Sequence, residues 1–100
     1  MDFTLLDTLR LEYPDYPVFF EYPADVYVYK LVAEYMRCWV SDYAKIDGVL
    51  RVNSKDPNTA YAMNKELHHT NYLAWEECET IVAGKIRNAE WQPCILVSLS

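Results

Sequence analysis

Two neighbouring histidines are the side chains in this sequence best suited to binding a metal ion. His68 and His69 are adjacent, and neighbours on a helix point about 100° apart, so they do not chelate one ion together. A helical metal pair needs a spacing of three or four residues. Tyr72 and Glu66 stand at such spacings, but tyrosine is a rare ligand and one His–Glu pair is common by chance. The spacing therefore predicts two histidines near a break in a helix, with no specific metal site.

Three cysteines could supply a nucleophilic thiolate: Cys38, Cys78 and Cys94. A reactive cysteine needs a neighbouring base and electropositive surroundings, whereas each of these stands on or beside an apolar stripe. We therefore predict that all three are small, buried apolar side chains. Their odd number and the lack of a C-x-x-C pair are typical of reduced thiols, so we expect a cytoplasmic protein.

The densest acidic cluster, Glu76, Glu77 and Glu79, could carry acid–base chemistry. Glu76 and Glu79 share a helix face at a spacing of three, but a charge run on a helix is usually a solvated face. The chain has two glycines, too few for a loop that cradles phosphate, and it carries no hydrolase or nucleotide-binding motif. We predict that the protein is not an enzyme and binds no metal or cofactor.

Acidic residues are concentrated at the front of the chain. Residues 1–29 hold six acids and one base, whereas residues 30–100 hold nine acids and eight bases. Five of the nine tyrosines lie in the same front segment, and tyrosine is enriched at protein interfaces. This placement predicts a surface for a basic partner. The predicted contact residues are Glu12, Asp15, Tyr16, Glu21 and Asp25.

The function that this pattern favours is a small, non-enzymatic protein-binding module. Its carboxylates would imitate phosphates and block a basic surface, such as that of a nucleic-acid-binding protein. The net charge of −6 disfavours direct binding to nucleic acid. In general character, though in no motif, the chain resembles the small acidic inhibitors that phages use against host defence. Three alternatives are a self-associating structural subunit, a small metal- or thiol-dependent enzyme, and acids that only keep the protein soluble.

The front half of the chain predicts a hairpin followed by a long helix. One hundred residues correspond to one domain, residues 1–100. Alternation over Thr8–Tyr13 predicts a strand, and the β-branched and aromatic residues of Val18–Tyr22 predict a second. Apolar residues then recur at steps of three and four from Asp25 to Lys45, which predicts a helix stopped by Asp47-Gly48.

The middle of the chain predicts a short strand, a loop and the start of a second helix. Val49–Val52 alternates as a strand does, and the polar, proline-containing stretch Asn53–Asn58 predicts a loop. Either Asn58 or Thr59 can cap the following helix.

A second helical run and a last strand complete the predicted fold. The run extends from Ala60 to Ile86, and residues 68–71 have poor helix propensity, so the run can divide there. The strand Cys94–Leu99 is apolar enough to lie inside a sheet. The order β-β-α-β-α-β predicts an α+β fold: a small, mostly antiparallel sheet with two long helices packed on one face. No run is apolar enough to span a membrane, and no secretory signal is apparent.

Overall fold

A computed structural model describes residues 4–21 and 36–99 of the chain. They form α1 (Thr4–Glu12), β1 (Val18–Glu21), β2 (Met36–Ile46), β3 (Val49–Val52), α2 (Pro57–Asn71), α3 (Trp75–Asn88) and β4 (Gln92–Leu99). The predicted α+β class is confirmed. No helix within the described ranges has the length and apolar character needed to cross a bilayer.

The four strands form one mixed sheet in the order β1-β4-β2-β3. β1 runs parallel to β4, with Val18 opposite Ile95, and β2 runs antiparallel to β3, with Ile46 opposite Val49. The expectation of a mostly antiparallel sheet is therefore wrong. The last strand does lie inside the sheet, as its apolar run predicted, because it has a neighbour on each side.

The described residues divide into two compact units, residues 4–21, 36–42 and 93–99 on the one hand and residues 43–92 on the other. We call them unit 1 and unit 2. The buried core of unit 1 consists of Leu6, Cys38, Ile95 and Val97, with Leu9, Tyr13, Tyr16 and Val18 packed against it. The buried core of unit 2 consists of Ala44, Ile46, Met63 and Val82, with Ala60, Leu67, Ile86, Ala89 and Trp91 packed against it.

The first predicted strand, Thr8–Tyr13, is wrong because these residues belong to helix α1 and the turn after it. Leu6, Leu9 and Tyr13 are spaced by three and four residues, and all three pack in the core of unit 1. Leu11, which the strand would have buried, is 85% exposed. The predicted hairpin is also wrong, because β1 takes β4 as its neighbour.

The predicted long helix from Asp25 to Lys45 is wrong over its second half. Residues 25–35 lie outside the described residues, and Met36–Ile46 is strand β2. Asp47 and Gly48, which we interpreted as a helix stop, both have positive φ, 53° and 81°. Positive φ at both central residues is typical of a type I′ hairpin turn, so this dipeptide joins β2 to β3.

The second predicted helical run is divided into two helices, α2 and α3. Tyr72 ends α2 in the left-handed conformation, with φ 55°, and its N–H donates to the carbonyl of His68 at 3.2 Å. The predicted break near residues 68–71 is confirmed, and neither predicted long helix is found among the described residues. The cap of α2 is Asp56, not Asn58 or Thr59. Its side chain accepts from the N–H of Asn58 at 2.9 Å, and Pro57 suits the first helical position because it lacks an N–H.

Candidate protein-binding surface

Helix α1 and the turn after it position three of the predicted contact residues. Glu12 is the last residue of α1, and Asp15 and Tyr16 lie in the turn that leads to β1. The N–H of Tyr13 continues the hydrogen bonding of the helix by donating to the carbonyl of Leu9 at 2.8 Å, and the N–H of Tyr16 closes the turn by donating to the carbonyl of Tyr13 at 3.2 Å. Leu6 fixes the helix by its burial in the core of unit 1. Glu12 and Asp15 are exposed on this helix and turn.

Two stacked tyrosines form the rigid part of this surface. The ring centroids of Tyr13 and Tyr16 lie 4.7 Å apart, and the ring planes are within 10° of parallel. Both rings are half-buried and pack against the core of unit 1. The stack is thus held in place before any partner arrives, which lowers the entropy lost on binding.

The carboxylate of Glu12 interacts electrostatically with the Tyr13 ring of this stack. Its negative charge is the main cause that raises the pKa of Tyr13 above the usual 10.0, and burial of the ring adds to the effect. A hydrogen bond from the phenol to the Glu12 carboxylate and the neighbouring Tyr16 act in the same direction. The Tyr13 phenol is therefore held in its neutral form.

A groove of about 680 Å³ lies along this segment. It is lined by Asp7, Arg10, Leu11, Tyr13, Pro14, Tyr16 and Val18. The volume is within the ~300–1,000 Å³ common for binding pockets. Leu11 is 85% exposed and stands one helical turn after Asp7, so an apolar and an acidic side chain share one face of α1. We call Asp7, Leu11, Glu12, Tyr13, Asp15 and Tyr16 the α1–turn surface.

The structure brings together part of the predicted contact set. Glu12, Asp15 and Tyr16 lie within one short segment, while Glu21 stands at the far end of β1, roughly 10 Å along the strand from Val18. Asp25 lies outside the described residues.

Sequence reasoning missed Asp7, Leu11 and Tyr13 as members of this surface. The predicted strand began after Asp7 and assigned Leu11 and Tyr13 to its buried face. The helical spacing of Leu6, Leu9 and Tyr13 was the signal that could have placed them, because it leaves Leu11 on the outer side.

A second groove, of about 500 Å³, lies in unit 2. Its charged lining residues neutralise one another. Arg51 pairs with Glu66 at 2.5 Å, and Lys85 pairs with Asp47. A charged ligand would have to break these pairs, so the α1–turn surface is the better candidate for binding.

The two histidines take part in contacts near the helix break, as the sequence predicted. Nδ1 of His68 lies 2.7 Å from the carbonyl oxygen of Leu73, and the His68 ring packs edge-on against Trp75 at 5.8 Å. The His69 ring contacts His68 at the same centroid distance. Within residues 4–21 and 36–99, no three His, Cys, Asp or Glu side chains are grouped as metal ligands.

All three cysteines are buried and unpaired with one another, which confirms the predicted burial. Burial raises the pKa of the Cys38 thiol. Burial also raises the pKa of Cys94 to about 11; the charge of Asp42 adds to this shift, and a backbone hydrogen bond from Ser41 opposes it. Cys38 and Cys94 are therefore protonated at neutral pH and poorly suited to nucleophilic attack.

The fold and site define an α+β protein whose first unit has a groove lined by two tyrosines, with the exposed carboxylates of Glu12 and Asp15 on the same segment. Comparison of the chain with protein-family models, with curated proteins and with solved structures found no match. The function is therefore inferred from the chemistry of the α1–turn surface itself.

Proposed function

We propose that the protein is a non-enzymatic binding module whose α1–turn surface engages a basic surface of a partner protein. One observation carries the proposal. The exposed carboxylates of Glu12 and Asp15 lie on the same short segment as the stacked rings of Tyr13 and Tyr16, beside a groove of about 680 Å³.

The two kinds of side chain support binding in different ways. Carboxylates attract a basic partner over a distance and speed the encounter. Tyrosines supply a large contact area that is apolar on its face and polar at its tip, and they are frequent among the residues that dominate binding energy. Leu11 adds an exposed apolar side chain at the same place.

Ion pairs within the described structure leave most of the negative charge of this surface unneutralised. Residues 4–16 contain three acids and one base, Arg10. Neither Asp7 nor Asp15 is ion-paired to any described residue, in contrast to the paired charges of Asp47 and Glu66 in unit 2. These carboxylates could therefore form ion pairs with lysines or arginines of a partner without first breaking an ion pair within the chain.

The partner class that this chemistry fits is a protein that itself binds nucleic acid. Such a protein presents a row of lysines and arginines that respond to negative charge, so carboxylates on the α1–turn surface would compete with phosphates for it. The biological effect would be inhibition, of the kind that small phage proteins exert on host defence. The same charge repels phosphates, so we propose no direct contact with nucleic acid.

The test uses two charge-reversal variants of equal net charge. Glu12→Lys/Asp15→Lys changes the α1–turn surface, and Glu76→Lys/Glu79→Lys changes the exposed face of α3 in unit 2. Partners captured by the wild-type chain and identified by mass spectrometry are then measured individually. We expect the first variant to weaken binding at least tenfold and the second to leave it nearly unchanged.

Salt dependence provides an independent measurement on the same complex. Raising the salt from 50 to 500 mM shortens the Debye length from about 14 Å to about 4 Å, so affinity should fall steeply. Affinity that is indifferent to salt, or that falls equally in both charge-reversal variants, would contradict a partner held at the α1–turn surface.

Self-association is a second candidate function, and the edge strand β3 favours it. β3 is last in the sheet order, and its Val49 and Leu50 are 47% and 44% exposed. Exposed apolar residues on an edge strand favour pairing with another strand. Sedimentation at several concentrations tests this, with Leu50→Lys as the variant that should shift any dimer to monomer. A wild-type chain that remains monomeric throughout removes this candidate.

A further inference from the structure

The α1–turn surface combines a flat aromatic stack with a carboxylate at its side. Tyr13 and Tyr16 are nearly parallel, both are only half-buried, and both line the groove. Part of the stack is therefore open to a side chain that lies in the groove. The negative charge of the Glu12 carboxylate acts on the Tyr13 phenol, so a charged acceptor lies close to the same ring.

The wall of the groove fits the remainder of a long cationic side chain. Leu11, Pro14 and Val18 supply apolar contact for a methylene stem, since lysine and arginine bury their stems along apolar surfaces and keep the charged end near polar groups. Asp7 lines the same groove and offers a second carboxylate.

Arginine and lysine differ in how they use such a site. The guanidinium group is planar, stacks on aromatic faces and donates paired hydrogen bonds to a carboxylate, whereas the ammonium group is a compact and strongly hydrated point charge. A carboxylate beside an aromatic plane satisfies both properties of the guanidinium at once. We infer that the α1–turn surface selects arginine over lysine side chains of its partner, an inference that rests on the proposed function.

One residue of the chain itself opposes this binding. Arg10 lines the groove with its own positive charge, and like charges repel an incoming guanidinium. Replacing it by an uncharged residue of similar length, Arg10→Gln, should therefore tighten the binding of arginine.

The experiment compares two probes of equal length and charge, acetylated hexa-arginine amide and hexa-lysine amide. Both are titrated into the full chain at 50 mM salt, with NMR signals of Tyr13 and Tyr16 as the readout. We expect the arginine peptide to bind about two- to fivefold more tightly for each stacked side chain and to shift both ring signals. Tyr16→Leu should remove the preference. Tyr16→Phe should keep the preference, and so should Tyr72→Leu in unit 2, where the ring is 92% exposed.

The outcomes separate the inference from the function on which it rests. If both peptides bind equally, and Glu12→Lys/Asp15→Lys abolishes the binding of both, the arginine preference is overturned and the proposed function stands. If the preference survives in Tyr16→Leu, the stack is not its source and the inference is overturned. If neither peptide binds, the proposed function fails together with the inference.

Discussion

The buried and exposed leucines of α1 provide a direct test of the local structure that holds the candidate site. Leu6 is 6% exposed and Leu11 is 85% exposed. Truncation of a buried leucine to alanine usually costs about 2–5 kcal/mol, and we expect about 3 kcal/mol for Leu6→Ala because α1 packs on one side of the core of unit 1. For Leu11→Ala the expected change is below about 0.5 kcal/mol, since the side chain makes few contacts.

The two variants are compared by urea unfolding, followed by tryptophan fluorescence and by far-UV circular dichroism. In thermal unfolding, 3 kcal/mol corresponds to a fall in Tm of roughly 12–24 °C. Leu5→Ala, at a position that is 53% exposed, is a control of the same chemistry next to Leu6. If Leu11→Ala costs as much as Leu6→Ala, these residues form a strand with Leu11 inward, and the arrangement of the α1–turn surface described above is wrong.

Three further predictions concern a thiol, a helix cap and a strained backbone position. Folding raises the pKa of Cys94 from 9.0 to about 11. The neutral thiol therefore contributes fully to the free energy of unfolding below pH 9, and this contribution is lost as the pH rises through 11. Cys94→Ala should remove about 1–3 kcal/mol of the alkaline loss of stability, and an unchanged slope of unfolding free energy against pH would contradict this prediction. Asp56→Ala should cost about 1 kcal/mol in urea unfolding while Asp56→Asn costs less, and equal losses would show that the cap bond to Asn58 is not the cause. Tyr72→Gly should raise the free energy of unfolding by about 0.5–1 kcal/mol. The backbone φ of 55° suits glycine, and the tyrosine ring is 92% exposed, so little contact is lost. A less stable variant would contradict this prediction and indicate that the ring makes stabilising contacts.

The sequence predicted those elements whose pattern has a single interpretation. Val18–Glu21, Val49–Val52 and Gln92–Leu99 are short, apolar and bounded by turn residues, and each is a strand. The break between α2 and α3 was also predictable, because poor helix formers interrupt an otherwise helical run.

The errors arose in segments whose apolar residues fit both the alternation of a strand and the spacing of a helix. Leu9, Leu11 and Tyr13 alternate, yet Leu6, Leu9 and Tyr13 also follow helical spacing, and only packing against the core decides between the two. In β2, Trp39, Val40 and Tyr43 imitate a helical stripe. The Asp47-Gly48 hairpin turn, which specifies pairing with β3, was the stronger signal. Strand order was out of reach, because the parallel pairing of β1 with β4 depends on contacts between distant parts of the chain.

The candidate site was predictable in its charge and not in its shape. Glu12 and Asp15 stand out by composition alone, and Tyr16 by its position beside them. The stacking of Tyr16 on Tyr13 and the groove shared with Leu11 depend on a helix that the sequence had assigned as a strand.

The parallel partnership of β1 and β4 has a consequence for biosynthesis. Val18 pairs with Ile95, so β1 leaves the ribosome long before its neighbour exists. The segment that forms unit 2, residues 43–92, is continuous in sequence and is synthesised before β4. Unit 1 lacks its inner strand until β4 follows. Since closing so long a loop carries an entropic cost, the nascent β1 lacks this neighbour until β4 has been synthesised, and the tyrosine stack that follows α1 acquires its full support only when β4 is inserted.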